Sequence, residues 1–354
     1  MLKTKNKVHI IHFTMKPGGI EVLLPGIIKT LDKFSFSVFA IRPLINDDNS
    51  VYADVDVKIT TGAKGLKAYK AIYLYARLNK NDIFQVFNLG PMFLFVLRMA
   101  GLKHLIYSIH GTIYWKTSFQ KIVRKIFWNL GMSKNYLITA NSEYSAKIFR
   151  ENVLNRETII LYNPIDNNRF NLSKKKIRSS QQKKIIYSGR LAKGKNLELW
   201  IDIAKYIISK NKEYCFEIYG IGPLENQLQE QIKKLGLEDY VKLKGYTNQP
   251  EFVYKSADLL LFLSEYESFG NVVVESILCG TPVICSNIPS MREIFQNNTE
   301  YLVNLDKNIF ANVLAKINNL NHLQEITQTL SEEFIIKYGH QTHYKKLEEL
   351  YNSF

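Results

Sequence analysis

The sequence predicts an α/β protein made of two doubly wound domains, each a parallel sheet covered by helices. At 354 residues the chain is longer than one hydrophobic core usually supports. Short apolar segments alternate with segments of helical spacing, and this alternation favours parallel sheets. A polar, lysine-rich stretch from residue 167 to residue 184 separates two such series and is the best candidate for a linker.

Twelve short apolar segments predict the strands. In the first half they are residues 8–13, 36–41, 83–88, 105–110, 137–141 and 159–163. In the second half they are residues 184–189, 216–220, 241–246, 259–264, 282–286 and 301–303. We expect a first domain over residues 1–168 and a second over residues 169–337, with the last helix, residues 338–354, packing on the first. Ligands of such folds meet the carboxyl ends of the strands, so we expect the two domains to face each other across a cleft.

The composition indicates a soluble cytoplasmic protein. Hydrophobic residues make up 46% of the chain and charged residues 22%. No apolar segment reaches the roughly 18 residues of a membrane-spanning helix, and the basic start of the chain has no signal-peptide cleavage pattern. The cysteines, at positions 215, 279 and 285, have neither metal-ligand spacing nor the density of a disulfide framework.

The net charge of +15 is concentrated in the first half. Residues 1–170 contain 24 Lys and Arg against 11 Asp and Glu, whereas residues 171–354 contain 23 against 21. This asymmetry predicts that the first half faces an anionic partner, which could be a membrane leaflet, a nucleic acid or a phosphorylated substrate. Charge alone does not choose among the three.

Two glycine turns at strand ends suggest a phosphate site in the second domain. In "YSGRLAKGKN", residues 187–196, Arg190 can fork onto pyrophosphate oxygens and Lys195 adds a point charge. In "FEIYGIGPLENQL", residues 216–228, Gly220 and Gly222 allow the backbone to approach a nucleotide. A solvated basic loop and an ordinary tight turn explain the same two segments, so neither decides by itself.

Two acids lie eight residues apart in "EYESFGNVVVESILCGTPVIC", residues 265–285. Glu267 precedes a helix that we expect Asn271 to cap, and Glu275 faces inward one turn later. The first amides of that helix can hold phosphate or sugar oxygens. A carboxylate accepts two hydroxyl hydrogens, which suits Glu275 to a ribose diol and Glu267 to sugar hydroxyls. The alternatives are an exposed loop acid for Glu267 and a buried structural ion pair for Glu275.

This last segment resembles the Glu-x7-Glu signature of family-4 retaining glycosyltransferases with the GT-B fold, among the glycosyl transferases group 1. The matching residues are Glu267, Phe269, Gly270, Glu275, Gly280, Pro282, Val283, Ile284 and Glu293. "YSGRLAKGKN" is similar to the phosphate loop of that family and "IYGIGPLENQL" to its Gly-x-Gly-Pro segment. "VKLKGYTNQPEFVYKSADLLLFLS" resembles the strand, base-binding loop and strand that lead into the signature. The motifs follow the order of the family over nearly the whole chain.

The resemblance implies a retaining hexosyltransferase with a nucleotide-diphosphate sugar as donor, expected to be a UDP-sugar. The implied acceptor is a glycan, expected to be lipid-linked, in the synthesis of bacterial capsule, O-antigen or exopolysaccharide. No cofactor and no metal ion are implied. The implied catalytic residues are His110, Glu267, Arg190 and Lys195. The implied donor-binding residues are Gly18, Gly19, Arg190, Lys195, Gly220, Gly245, Tyr246, Glu267, Ser268, Phe269, Gly270, Asn271 and Glu275.

The first domain resembles the family at a glycine-rich opening and at a histidine that ends a strand, among other segments. "HFTMKPGGIEVLL" resembles its Gly-Gly-x-Glu opening, in which Gly18 and Gly19 free backbone amides for the donor or the acceptor. A lone histidine at a strand end is usually structural, but the family has one at the place of His110, against the donor sugar. The Asp-x-Asp pattern at residues 53–57 mimics a metal motif of another glycosyltransferase fold, and we expect surface residues there instead.

A basic amphipathic helix is predicted within residues 115–135. Its apolar stripe comprises Phe119, Ile122, Val123, Ile126, Phe127 and Leu130. Lys121, Arg124 and Lys125 flank the stripe and are the candidates for docking on an anionic membrane at the cytoplasmic face. The alternative is a core-packing helix with a solvated basic face. Residues 64–80 show a weaker version of the same pattern.

Two rival functions remain at this level. A nucleotide-sugar epimerase of GT-B fold uses two similar domains, although the Glu-x7-Glu signature argues against it. A nucleic-acid-binding protein would use the basic first half, but no helix-turn-helix or aromatic-basic RNA motif is present in the sequence, so we expect no nucleic-acid partner.

Overall fold

The computed structural model describes residues 6–14, 23–42, 58–61, 65–111, 118–172, 182–296 and 298–354. The chain divides into two compact units. The first comprises Met1–Pro164 together with His343–Phe354, and the second comprises Ile165–Thr342. Each unit is built on one parallel sheet.

The first unit has seven strands within its described residues, in the order β3-β2-β1-β4-β5-β6-β7. They are β1 Lys7–Thr14, β2 Ser35–Arg42, β3 Lys58–Thr61, β4 Ile83–Phe87, β5 His104–Ile109, β6 Leu137–Ala140 and β7 Ile159–Ile160. In β1, Ile10 lies opposite Val38 of β2 and Gln85 of β4. The order of the strands reverses between β1 and β4, which makes their carboxyl ends a topological switch point.

The second unit has six strands within its described residues, in the order β10-β9-β8-β11-β12-β13. They are β8 Lys183–Ser188, β9 Tyr214–Tyr219, β10 Val241–Gly245, β11 Leu259–Phe262, β12 Val283–Ser286 and β13 Leu302–Val303. This is the 3-2-1-4-5-6 arrangement of nucleotide-binding α/β sheets. Its switch point lies between β8 and β11, where Leu259 pairs with Ile185.

Helices connect the strands of both units. In the first part of the chain they are α1 Leu24–Thr30, α2 Leu66–Leu78, α3 Pro91–Met99, α4 Ser118–Gly131 and α5 Glu143–Asn152. In the remainder they are α6 Leu197–Lys210, α7 Glu225–Lys234, α8 Pro250–Lys255, α9 Asn271–Leu278, α10 Pro289–Ile294, α11 Ile309–Asn318, α12 Leu320–Tyr338 and α13 His340–Asn352. No helix of the described residues has both the length and the apolar character needed to cross a bilayer.

The first unit has a core on each face of its sheet. On one face, helices α2, α3, α4 and α5 pack against the strands and bury Trp128, which meets Tyr107 edge-on at 4.9 Å between ring centroids. On the other face, α1 packs beside α13, whose Tyr344, Leu347 and Tyr351 belong to the same core as Val8 and Ile106. The last helix of the chain therefore completes the first unit.

The core of the second unit forms around its central strands. The four residues of β11 are all buried, as expected for a parallel strand covered on both faces. Trp200 of α6 meets Phe216 edge-on at 5.5 Å, and its indole N–H donates to the Leu261 carbonyl at 3.0 Å. This hydrogen bond fixes α6 against β11.

All twelve strands expected from the sequence are present, and β3 was missed. It is short, and its sequence Lys-Ile-Thr-Thr lacks an apolar run. The structure begins the second unit at Ile165, and Phe170 is buried in it, so the first residues of the expected linker are packed. Residues 173–181 of that stretch lie outside the described residues.

Candidate functional site

The loops that follow β8 and β11 are joined at the switch point of the second unit. The Asn196 side chain donates to the Leu263 carbonyl at 3.0 Å. The backbone N–H of Glu265 donates to the Gly194 carbonyl at 2.9 Å. Because these bonds fix one loop against the other, the predicted phosphate loop and the predicted acidic loop form one surface.

Three glycine turns are packed backbone to backbone beside this surface. The Gly189 N–H donates to the Tyr219 carbonyl at 3.0 Å, and the Gly220 N–H donates to the Gly245 carbonyl at 2.8 Å. A Cβ on Gly220, whose φ is +140°, would lie 1.8 Å from the Gly189 oxygen. Only glycine fits there, and its absence of a side chain lets the ends of β8, β9 and β10 converge. Tyr246 follows directly and is 69% exposed.

The cations of the phosphate loop differ in their surroundings. The Lys195 ammonium forms an ion pair with Glu267, and both side chains are half-buried. The same ammonium lies 5.7 Å from the centroid of the Phe262 ring. Arg190 is exposed, while its carbonyl accepts a hydrogen bond from the Tyr187 hydroxyl at 3.1 Å. Glu267 is therefore not the exposed loop acid of the alternative interpretation.

Helix α9 begins at Asn271, and the cap position belongs to Gly270, with φ +112°. The expectation that Asn271 caps the helix is wrong, because the sharp left-handed turn moves the start one residue back. Phe269 is buried, with its ring 5.3 Å from that of Tyr338, so only its backbone is available to a ligand. Ser268, the residue between Glu267 and Phe269, is half-buried.

Glu275 lies half-buried on α9 and accepts a hydrogen bond from the Tyr254 hydroxyl at 2.9 Å. Burial raises the pKa of Glu275 to about 7, and the nearby Glu251 charge adds to this rise. The hydrogen bond from Tyr254 and the charge of Arg169 act in the opposite direction and lower the pKa. The Arg169 guanidinium itself pairs with Glu251 at 2.7 Å. Within the described part of the chain no cation forms an ion pair with Glu275, so the alternative of a structural ion pair is not supported.

Tyr254 is a residue that the sequence interpretation missed. It is fully buried on α8, and its hydroxyl also lies 3.4 Å from the Ser188 hydroxyl at the end of β8. It therefore connects Glu275 with the strand that carries the phosphate loop. In the sequence it is one aromatic residue in the apolar pattern "EFVYKSAD", which gives no signal of a polar contact.

In the first unit, His110 follows β5 and belongs to a cluster of histidines. Its backbone N–H donates to the Asn88 side chain at 2.8 Å. Burial lowers the pKa of His110 to about 3, and the neighbouring His343 and His12 lower it further, while a hydrogen bond with Asn163 raises it. His110 is therefore a neutral imidazole at physiological pH, able to donate or accept a hydrogen bond.

Some predicted residues cannot be placed. Gly18, Gly19 and the Asp-x-Asp segment at residues 53–57 lie outside the described residues, as does the side chain of Lys121. Among the residues that are described, no group of three or more His, Cys, Asp or Glu side chains is arranged to hold a metal ion.

Comparison with known proteins gives the family of the second unit and two curated relatives. Residues 168–333 match the sequence profile of the family described as "Glycosyl transferases group 1". The chain is 29% identical, over 63% of its length, to the N-acetylgalactosamine-N,N'-diacetylbacillosaminyl-diphospho-undecaprenol 4-alpha-N-acetylgalactosaminyltransferase of Campylobacter jejuni, and spans 58% of that protein. It is 23% identical to the Escherichia coli UDP-Gal:alpha-D-GlcNAc-diphosphoundecaprenol alpha-1,3-galactosyltransferase, over 99% of this chain and 98% of the relative.

A solved structure shares the fold of the whole chain. The crystal structure of Anabaena Alr3699/HepE in complex with UDP and glucose has a TM-score of 0.81 at 20% identity, and the likeness covers 99% of this chain and 100% of that chain. The predicted GT-B fold class is confirmed.

Proposed function

Since its second unit places this chain in the glycosyl transferases group 1, we propose that it is a retaining glycosyltransferase of bacterial cell-surface polysaccharide synthesis. The donor would be a UDP-sugar and the acceptor a lipid-linked glycan at the cytoplasmic face of the membrane. The observation that carries this proposal is the joined pair of loops at the switch point of the second unit. One loop has the phosphate-binding pattern, the other contains Glu267, and Glu275 lies on the helix that follows.

The relatives support the choice of donor and acceptor. The names of both curated relatives specify a diphosphoundecaprenol-type lipid acceptor and an alpha linkage, and one of them names UDP-Gal as the donor. Retention of configuration gives an alpha linkage when the bond between the donor sugar and its phosphate is also alpha. The structural neighbour was solved with UDP.

The proposed site stabilises the leaving diphosphate with fixed charges. Arg190 can fork onto its oxygens, and Lys195 contributes a point charge. The positive end of the α9 dipole adds to the same field. These groups are in place before the reaction, so they act on the charge that develops as the bond to the sugar breaks. In this proposal they replace a metal ion.

The acids would hold the two ends of the donor. Glu275 accepts hydrogen bonds from the ribose diol, and Glu267 from hydroxyls of the transferred sugar. In the structure Glu267 holds the Lys195 ammonium. Binding of the diphosphate would therefore draw Lys195 toward the phosphates and release Glu267 for the sugar.

In the transfer step, the bond between the anomeric carbon and the diphosphate breaks and a bond to the acceptor oxygen forms on the same face of the sugar. The leaving phosphate oxygen takes the proton of the acceptor hydroxyl. No carboxylate is assigned as a covalent nucleophile. The neutral His110 and the backbone of Gly18 and Gly19 are the hydrogen-bonding groups that we propose for the first unit.

The test is a screen of UDP-, GDP- and ADP-sugars with an undecaprenyl-diphosphate-linked sugar as acceptor. We expect one UDP-sugar to give an elongated lipid product, and we expect Glu275→Ala to abolish both donor binding and turnover. Conversion of a donor to its epimer without any acceptor would instead establish the epimerase. Binding of duplex DNA or RNA with no nucleotide-sugar binding would overturn the proposal.

A further inference from the structure

Helix α4 presents aliphatic side chains to solvent. Ile122, Ile126 and Leu130 are 60%, 53% and 50% exposed. They are spaced by four residues and so lie along one face of the helix. The opposite face carries Trp128, which is buried. Three members of the apolar stripe expected from the sequence therefore face solvent, and Trp128, which was not among its members, packs on the core.

The neighbouring helices extend this exposed surface. On α2, Leu66 and Leu78 are both 85% exposed, and on α3, Met99 is 60% exposed. The three helices lie side by side, because Tyr69 of α2 stacks on Phe93 at 4.4 Å and Phe95 of α3 meets Phe127 edge-on at 5.6 Å. We call the outer surface of these three helices the α2–α4 face.

The α2–α4 face carries almost no negative charge. Between residues 58 and 140 the sequence has thirteen Lys and Arg and a single acid, Asp82. Asp82 lies outside the three helices, ahead of β4, and its carboxylate contacts His9 at 3.0 Å. Exposed basic side chains on the three helices are Lys67, Lys70, Arg77, Arg98 and Arg124.

We propose that the α2–α4 face docks on an anionic lipid bilayer. The exposed Ile and Leu side chains would enter the boundary between headgroups and acyl chains, and the surrounding Lys and Arg would contact lipid phosphates. This inference deepens the proposed function and rests on it, because a lipid-linked acceptor would bring the protein to a membrane surface.

The same observations disfavour two other occupants. A second copy of the chain, docked by two-fold symmetry, would place this basic face against itself and oppose like charges. A nucleic acid would satisfy the charges but not the exposed aliphatic residues, because single strands bind by stacking on aromatic side chains. A bilayer matches both the aliphatic and the basic components.

The test is flotation of the full-length protein with vesicles. The probes are pure phosphatidylcholine and an equal mixture of phosphatidylcholine and phosphatidylglycerol. We expect binding to the mixed vesicles only, weakening as salt is raised. Ile122→Ser with Ile126→Ser, and separately Arg124→Glu with Lys125→Glu, should each lower the vesicle partition coefficient at least about tenfold.

Matched variants elsewhere control for charge and exposure. Lys67→Glu with Lys70→Glu on α2 should weaken binding as the α4 pair does. Lys233→Glu with Lys234→Glu makes the same charge change on exposed positions of α7, and Ile336 on α12 is 75% exposed. The α7 pair and Ile336→Ser should leave the partition coefficient within about twofold of the wild type, because they lie outside the face.

Several results would overturn the proposal: equal flotation with both kinds of vesicle, equal loss in the α4 and α7 pairs, or no flotation at all. Self-association that disappears in the Ile122→Ser, Ile126→Ser variant would also overturn it in favour of a protein interface. UDP-sugar binding measured without vesicles separates this proposal from the proposed function. If the wild type binds donor but not vesicles, only the docking fails; if it binds vesicles but no nucleotide sugar, only the proposed function fails.

Discussion

Glu275 is held by a neutral hydroxyl in surroundings that disfavour its charge. Burial raises the pKa of its carboxyl to about 7, and the Tyr254 hydrogen bond acts against that rise. A ribose diol donates two hydrogen bonds and favours the ionised carboxylate. Donor binding should therefore release a proton near neutral pH, which makes the charge state of this residue measurable.

Donor affinity should rise with pH through about 7. With a pKa of about 7, Glu275 is mostly protonated at pH 6 and mostly ionised at pH 8. We expect UDP-sugar affinity about tenfold higher at pH 8 than at pH 6. Calorimetric titration with the UDP-sugar checks this, because its diphosphate does not titrate in the range, unlike that of UDP. Glu275→Gln should bind weakly and without this pH dependence; a slope that persists in it contradicts the assignment.

Tyr254→Phe should move the same pH profile. Loss of the hydroxyl removes the hydrogen bond that lowers the pKa of Glu275, so the midpoint of donor affinity should shift upward by about one pH unit. Tyr301→Phe is the matched control, since this buried tyrosine of the same unit has its hydroxyl 3.4 Å from Thr327. An unchanged midpoint, or an equal shift in the control, would show that Tyr254 does not act through Glu275.

At the scale of single residues, the sequence identifies the polar residues of the candidate site but not the side chains that hold them in place. Lys195 and Glu267 were predicted from spacing and do meet. Tyr254 was not predicted, because its contact with Glu275 arises only when α8 packs against α9. A side chain that is polar at one atom and apolar elsewhere leaves the same pattern as a core residue.

Among the secondary-structure elements, the turns that follow β8, β9 and β10 govern the shape of the site. Their backbones are hydrogen-bonded to each other and leave no room for a methyl group at Gly220 or Gly222. The close contact between these turns determines the position of the phosphate-loop backbone. A side chain at Gly220 or Gly222 would force the ends of two strands apart.

Gly220→Ala should destabilise the second unit by on the order of 3 kcal/mol and weaken donor binding. The new Cβ would lie 1.8 Å from the Gly189 oxygen in a left-handed conformation. Gly90→Ala is the control, because its φ of −66° suits alanine and its Cβ would meet nothing within 4 Å. Thermal and denaturant unfolding measure both variants. Equal, small changes in the two would show that the turns are not closely packed.

The elements were predictable where their pattern was apolar and periodic. Buried strands such as β11 match their expected positions. The start of α9 was misplaced by one residue, since a left-handed glycine cap looks like an ordinary loop residue in the sequence. The core-facing side of α4 could not be predicted, because apolar residues occur on both sides of the helix and only the packing of Trp128 shows which side faces the core.

For the molecule as a whole, the end of the chain stabilises its beginning. Helix α13 contributes Tyr351 to the core around Val8, and the Tyr351 hydroxyl donates to Gln85 of β4. The first unit is therefore complete only once His343–Phe354 have been made. The sequence predicts a terminal helix that packs on the first domain, but the residues that it contacts there, such as Val8 and Gln85, are set by contacts between residues far apart in the chain.

Tyr351→Ala should destabilise the first unit and spare the second. Tyr351 is fully buried, and large aromatic-to-alanine changes in a core cost about 3 to 5 kcal/mol. Hydrogen exchange of peptides from each unit measures the two separately: protection should fall in β1 and β4 and stay unchanged in β8 and β11. Leu78→Ala, at an exposed position of α2, should change neither. Equal loss in both units would contradict the division.

The most direct test of the central claim is calorimetric titration of UDP into the wild type, Lys195→Ala and Lys193→Ala. Both lysines lie in the phosphate loop, but Lys195 meets Glu267 at the switch point, whereas Lys193 is exposed. We expect the wild type to bind UDP, Lys195→Ala to bind at least about tenfold more weakly, and Lys193→Ala to remain within about twofold. No binding of UDP by the wild type, or the same affinity in both variants, would contradict a nucleotide-sugar site in the second unit.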